Sequence, residues 1–224
     1  MNSLTAVYAR SVVAVVVEDP LTGERSLVDF INPRFQLSLT TLLNKDTKKF
    51  VDWHTLFSLD SAMVLVLSKD RTKIAFIDQY RYATGSTHMG LMAGMFDLKK
   101  DKSIFDTAAR ELSEEGKLAV CDLMLLNNGP CTDYYDPSIS SERQRKFIAI
   151  FSGKAAGELE ENETIWKYVK WLAVDDVDTR MLHSAVTGAP FYNGLFLCGS
   201  SLNTLNLFFR LRNAGLLPSI YLPD

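Results

Sequence analysis

Strand-like and helix-like segments follow one another irregularly along the 224 residues, and no strand–helix–strand unit repeats. That ordering argues against a doubly wound nucleotide fold and predicts an α+β or layered α/β/α domain. The clearest stretch is central. Ala62-Met63-Val64-Leu65-Val66-Leu67 reads as a strand, Ser68-Lys69-Asp70-Arg71 as a turn, and residues 73–82 as a second strand. A helix fits 104–116, because Phe105, Ala108, Ala109 and Leu112 recur at helical spacing. Ser103 is its expected N-cap, with Asp106 three residues on. Further strands fit 122–127, 146–152 and 165–172. A last helix fits 200–214, with Leu202, Leu205 and Phe209 on one face and Gly215 as its stop.

Residues 11–18 read as a strand, 19–23 as a Pro/Gly turn and 25–31 as a return strand. A polar stretch, Asn44-Lys45-Asp46-Thr47-Lys48-Lys49, sets this part off from the rest. The expected organisation is therefore a small strand-rich subdomain over 1–57 and a main domain over 58–224.

Apolar residues make up 47% of the chain and charged residues 23%, with a formal net charge of −3. Such a balance does not point to nucleic acid or an anionic membrane as a partner. No apolar run reaches the roughly 18 to 20 residues that span a bilayer. Cys121, Cys131 and Cys198 are odd in number and lack zinc or disulfide spacing, which fits a reducing compartment such as the cytoplasm. The first ten residues carry no acid, so a mitochondrial or other organelle address stays open. His54, His88 and His183 form neither a zinc pair nor a triad in sequence.

The most informative segment is Ala108-Ala109-Arg110-Glu111-Leu112-Ser113-Glu114-Glu115. On a helix, Glu111 and Glu115 fall about 40° apart, beside the apolar stripe. Arg110 and Glu114 form an i, i+4 pair on the outer side. Two readings fit the octapeptide alone. One is a solvated face laced with salt bridges. The other is a pair of carboxylates whose mutual repulsion a hard cation relieves, as Mg²⁺ does with carboxylates and substrate phosphates. Upstream, Gly90-Leu91-Met92-Ala93-Gly94-Met95-Phe96-Asp97 reads as an apolar turn with a small Ala-Gly step.

With these segments together, the sequence resembles the Nudix hydrolases, and within them the ADP-ribose and nucleotide-sugar diphosphatases. The family box runs G-x5-E-x7-R-E-U-x-E-E-x-G-U, where U is bulky and aliphatic. Gly94 matches its opening glycine, and Arg110-Glu111-Leu112-x-Glu114-Glu115 matches its centre. Phe76–Tyr82 is similar to the family's strand ending in Gln-Tyr-Arg-Tyr. Ser140-Ser141-Glu142-Arg143 and Glu161-Asn162-Glu163 are similar to its later acidic loops. The resemblance implies a Nudix fold, an α/β/α sandwich with a mixed sheet, plus the N-terminal β subdomain. It also implies metal-dependent hydrolysis of the diphosphate in a nucleoside diphosphate sugar of the ADP-ribose, ADP-glucose or UDP-glucose type.

The implied roles follow by position. Glu111, Glu114, Glu115 and the Ala93 carbonyl would hold Mg²⁺ or Mn²⁺. Arg110 would orient the glutamates, and Glu161 or Glu163 would be the base. Arg81, Gly94 and Glu142 would face substrate, while Trp53 and Tyr82 are stacking candidates against a core alternative. The family habit also implies a homodimer, the N-terminal strands packing on a second copy. The box departs from the family at two places. Fifteen residues separate Gly94 from Arg110 where the family has thirteen, so counting puts Lys100 or Lys102 at the first glutamate. Lys117 stands at the closing glycine, after Gly116. These departures keep a second reading in play, a Nudix-fold binding or assembly subunit with weak or no catalysis.

Overall fold

The structure is a computed structural model. The residues it describes are 4–11, 14–18, 25–29, 35–44, 47, 49–81, 84–126, 140–156 and 169–223, with backbone alone before residue 47 and at 51–54. The chain divides into two compact units: Met1–Asp60 with Asp133–Gln144, and Ser61–Thr132 with Arg145–Asp224.

The first unit is built of strands. β1 (Leu4–Ser11), β4 (Phe35–Asn44) and β5 (Phe50–Ser58) form an antiparallel sheet in the order β1-β4-β5, and β2 (Ala14–Glu18) pairs with β3 (Arg25–Asp29). The hairpin expected at 11–31 is thus present as β2 and β3, with Ala14 opposite Asp29. The polar stretch 44–49 does not separate two parts. It joins β4 to β5, which pair from Phe35 opposite Ser58 to Leu43 opposite Phe50.

The second unit holds a larger sheet, in the order β10-β11-β6-β7-β8-β13. Its strands are β6 (Ser61–Leu67), β7 (Lys73–Arg81), β8 (Ser86–Gly90), β10 (Leu118–Leu125), β11 (Gln144–Ala155) and β13 (Phe196–Leu197). β9 (Met92–Met95) adds to β6, and β12 (Lys170–Ala173) to the first half of β7. β13 runs parallel to β8, while β7 and β8 are antiparallel, so the sheet is mixed. β6 is buried along its whole length because both faces are covered. Its odd-numbered residues Met63, Leu65 and Leu67, with Ile74 and Phe76, pack against α2 (Val174–Thr187) and α3 (Gly199–Asn213). The alternate residues Ala62, Val64 and Val66, with Ala75 and Ile77, pack against α1 (Ile104–Glu114). Period-two alternation thus feeds two cores, one on each side of the sheet. The result is the mixed α+β, helix–sheet–helix arrangement expected from the sequence.

Local chemistry explains the element ends. Ser103 accepts from the Asp106 amide while Asp106 reaches back to the N-cap backbone, a full capping box for α1. Gly215 lies just past α3 with φ of 66°, the left-handed conformation that glycine adopts freely. Three expectations shift. The strand expected at 122–127 is β10, which begins four residues earlier, at Leu118. The expected turn at Gly90–Asp97 is instead the end of β8 followed by β9. Of the strand expected at 165–172, residues 165–168 lie outside the described residues and 170–172 belong to β12, which runs on into the unexpected helix α2. Among the described residues, no helix is long and apolar enough to cross a membrane.

Candidate active site

The buried face of α1 is not the stripe that apolar spacing picks out. Phe105 and Ala109 are exposed, and the Phe105 ring packs edge-on against Phe147 at 5.0 Å. The buried residues are Thr107, Ala108, Glu111 and Leu112. Taking Phe105 as zero, that face centres near 270°, so Glu111 and Glu115 lie within it rather than at its edge. A helix that turns carboxylates toward a sheet must compensate them, since an uncompensated buried charge is costly.

Arg110 supplies much of that compensation. Its Nη1 donates to Glu111 Oε1 at 2.6 Å and to Glu114 Oε2 at 2.8 Å. Its Nε donates to Asp101 Oδ1 and its Nη2 to Asp101 Oδ2, both at 3.0 Å, and Nη2 also reaches the Met95 carbonyl at 2.9 Å. Arg110 is therefore half-buried and turned inward, not on the outer side. Asp101 takes the fork-to-fork pairing that suits guanidinium, and it accepts further from Thr107 Oγ1 and the Asp97 amide, each at 2.9 Å. The Arg110 hydrogen bonds hold the Asp101 carboxyl at about 2, against an ordinary 3.8. Asp101 in turn pushes the Arg110 guanidinium upward. Burial pushes the Glu111 carboxyl up, and the adjoining Arg110 pulls it back.

This geometry corrects the count that put Lys100 or Lys102 opposite Arg110. The acid between those two lysines makes the contact. Asp97 closes the loop that presents it, its carbonyl accepting from the amides of Lys100 and Asp101 at 3.1 and 2.8 Å. Lys100 turns outward to Glu114, at 3.4 Å. The second departure is also absorbed. Lys117 has φ of 51°, so the backbone keeps a left-handed turn without glycine.

Glu115 points to the sheet. It accepts from the Ala93 amide at 2.9 Å and from Gln79 Nε2 at 3.3 Å, and Gln79 Oε1 accepts from Arg81. Gly94 stands opposite Ala62 in the β6–β9 pair. A Cβ there would lie 2.0 Å from Glu111 Oε1, so any other residue would push that carboxylate aside. Gly94→Ala is accordingly expected to lower stability by about 1–3 kcal/mol as Glu111 is displaced. Urea unfolding checks this, and an unchanged variant would mean that Glu111 yields freely.

The structure thus gathers Arg81, Ala93, Gly94, Arg110, Glu111, Glu114 and Glu115 in one unit, with Gln79 and Asp101 as two members that spacing did not reveal. Glu142 belongs to the other unit. Glu161, Glu163 and Tyr82 lie outside the described residues, as does the Trp53 side chain. The donor set is all oxygen, which fits a hard divalent cation in kind. Among the described residues, no three acidic, histidine or cysteine side chains converge as a metal site does, Arg110 drawing Glu111 and Glu114 to itself.

The sequence matches no protein-family model and no curated protein. Solved structures do match it. One is described as the crystal structure of ADP compounds hydrolase, with a TM-score of 0.66 at 15% identity, over 97% of this chain and 98% of that one. The chain shares the fold of that hydrolase. The likeness spans nearly all of both chains, in keeping with the mixed sheet and the helices on its two faces.

Proposed function

We propose that the protein is a Nudix-type hydrolase that cleaves the diphosphate of a nucleoside diphosphate sugar, giving a nucleoside monophosphate and a sugar phosphate, with Mg²⁺ or Mn²⁺ as cofactor. The observation that carries this reading is the acidic turn of α1, which buries Glu111 against Gly94, where a Cβ would strike its carboxylate, and gathers Glu111 and Glu114 on Arg110. A salt-bridged surface helix has no need of that glycine. The fold likeness to a hydrolase of ADP compounds supports the substrate class.

Glu111, Glu114 and Glu115 would hold the metal, with the Ala93 carbonyl as a further oxygen. When bound, the metal neutralises diphosphate oxygens and makes water more acidic. The chain's own residues do the rest. Arg110 holds Glu111 and Glu114 in place with one hydrogen bond each and is itself anchored by Asp101 and the Met95 carbonyl. Arg81 offers planar donors to a phosphate or terminal ribose, and Glu142 is a further substrate contact. Glu161 or Glu163 accepts the proton of the attacking water. In keeping with the family habit, the N-terminal strands would pack on a second copy of the chain.

A panel of ADP-ribose, ADP-glucose and UDP-glucose with Mg²⁺ or Mn²⁺, scored for nucleoside monophosphate release, tests the proposal. Release from one or more members supports it. A folded protein inert to the whole panel overturns it in favour of a binding or assembly subunit. The base is tested separately. Glu161→Gln and Glu163→Gln are both expected to lower kcat, one of them with KM nearly unchanged, which marks an interaction made mainly in the transition state. Normal turnover by both variants would make the loop a solvated acidic patch and move the search to Glu142.

A further inference from the structure

We infer that Gln79 is a positioning residue that couples the cation Arg81 to the carboxylate of Glu115. This rests on the proposed hydrolase function and extends it to a residue that need touch neither substrate nor metal. Gln79 is on β7 and only 1% exposed. Its Nε2 donates to Glu115 Oε1 at 3.3 Å and Oε2 at 3.5 Å, and its Oε1 accepts from Arg81 Nη2. Both neighbours demand the same amide orientation. A guanidinium only donates, so it takes the oxygen end, and a carboxylate only accepts, so it takes the NH₂ end.

Two consequences follow from this geometry. Glu115 is held from two sides, by Gln79 and by the Ala93 amide. Such support orients a ligand for metal before the metal arrives, the role that outer hydrogen bonds play around metal ligands. Arg81 in turn pins the amide that pins Glu115, so a change at Arg81 reaches the carboxylate through a single side chain. If burial alone placed Gln79, an apolar side chain of similar length would serve as well or better.

Gln79→Met keeps length and burial and removes both hydrogen bonds. With the wild-type chain hydrolysing a nucleoside diphosphate sugar, this variant should lose about 10- to 100-fold in kcat and bind Mn²⁺ about tenfold more weakly without substrate. Mn²⁺ binding is read by electron paramagnetic resonance of the free ion, and folding by circular dichroism. Arg81→Ala supplies a second readout that does not depend on a buried substitution. Removing a cation near the site relieves its repulsion of Mn²⁺ and should by that alone tighten Mn²⁺, whereas the coupling through Gln79 predicts weaker binding. Gln79→Met should then cost less in the Arg81→Ala background than in the wild type.

Wild-type activity with unchanged kcat and Mn²⁺ affinity in Gln79→Met would overturn the inference and leave the proposed function standing. Tighter Mn²⁺ in Arg81→Ala, or strictly additive losses, would also overturn the coupling. If Gln79→Met does not fold, the direction of the Arg81→Ala change decides alone. A wild-type chain that neither binds Mn²⁺ nor hydrolyses any of these sugars removes the proposed function and this inference together.

Discussion

Glu115→Gln is expected to yield a folded protein that turns over nucleoside diphosphate sugars at least about 100-fold more slowly at saturating metal. The substitution keeps the shape of the side chain and removes its charge. The carboxylate now accepts from the Ala93 amide and from Gln79 Nε2. A glutamine can still offer its oxygen to the Ala93 amide. Its NH₂ group then faces the NH₂ of Gln79, so the shorter of the two Gln79 contacts is lost and two donors oppose each other. A hydrogen bond to a charged group contributes about 1.5–3 kcal/mol, which a folded chain of this size tolerates. Loss of turnover with retained structure therefore separates a metal-holding role from a scaffolding one. Near wild-type activity at saturating Mg²⁺ or Mn²⁺, in a variant with native circular dichroism, would remove Glu115 from the site.

Much of this arrangement is legible in the sequence where local rules act alone. The capping box of Ser103 and Asp106, the stop at Gly215 and the strands β6 and β7 all follow from spacing and turn chemistry. The face of α1 does not. Apolar spacing points to Phe105 and Ala109, and tertiary packing instead buries Thr107 and Glu111. A helix whose buried face includes a glutamate breaks the hydrophobic rule, and local rules are expected to fail at functional sites. Gly90 and Gly94 read as a turn because glycine punctuates, yet both sit in strands, one beside Gln79 and one beside Glu111. β4 carries its own signal in the alternation Phe35-Gln36-Leu37-Ser38-Leu39-Thr40, and the polar run after it hides the pairing with β5. In α2, Asp175 and Asp176 occupy the first turn and only Val174, Val177 and Met181 are buried, too sparse a stripe to stand out.

Asp101 illustrates a different limit, and its removal is the second large expected effect. Counting residues from Gly94 or back from Arg110 lands on a lysine either way. The loop closed by Asp97 shifts the register and brings the intervening acid to Arg110. Asp101→Ala would leave the Arg110 guanidinium, 17% exposed, without its bidentate partner, which is 2% exposed. It would also leave Thr107 Oγ1 and the Asp97 amide without an acceptor. Breaking a buried pair from one side costs about 3–5 kcal/mol, so Asp101→Ala should lose about 3 kcal/mol in urea unfolding at pH 7. Asp101→Asn keeps acceptor oxygen for these donors and should lose less. The pH dependence supplies a second check. The Asp101 carboxyl sits at about 2 when folded and 3.8 when free. The folded state thus binds fewer protons in that window, and stability rises with pH there. The contribution is complete above about pH 4 and is lost as pH falls through about 2. The gap between wild type and Asp101→Ala should therefore shrink by about 2 kcal/mol between neutral pH and pH 2. Burial shifts Glu111 the other way, so its protonation favours the fold on acidification in both proteins. That shift cancels from the difference to the extent that Arg110 still contacts Glu111 in the variant. A gap that stays constant down to pH 2 would mean that Asp101 acts through packing and neutral hydrogen bonds rather than through its charge on Arg110.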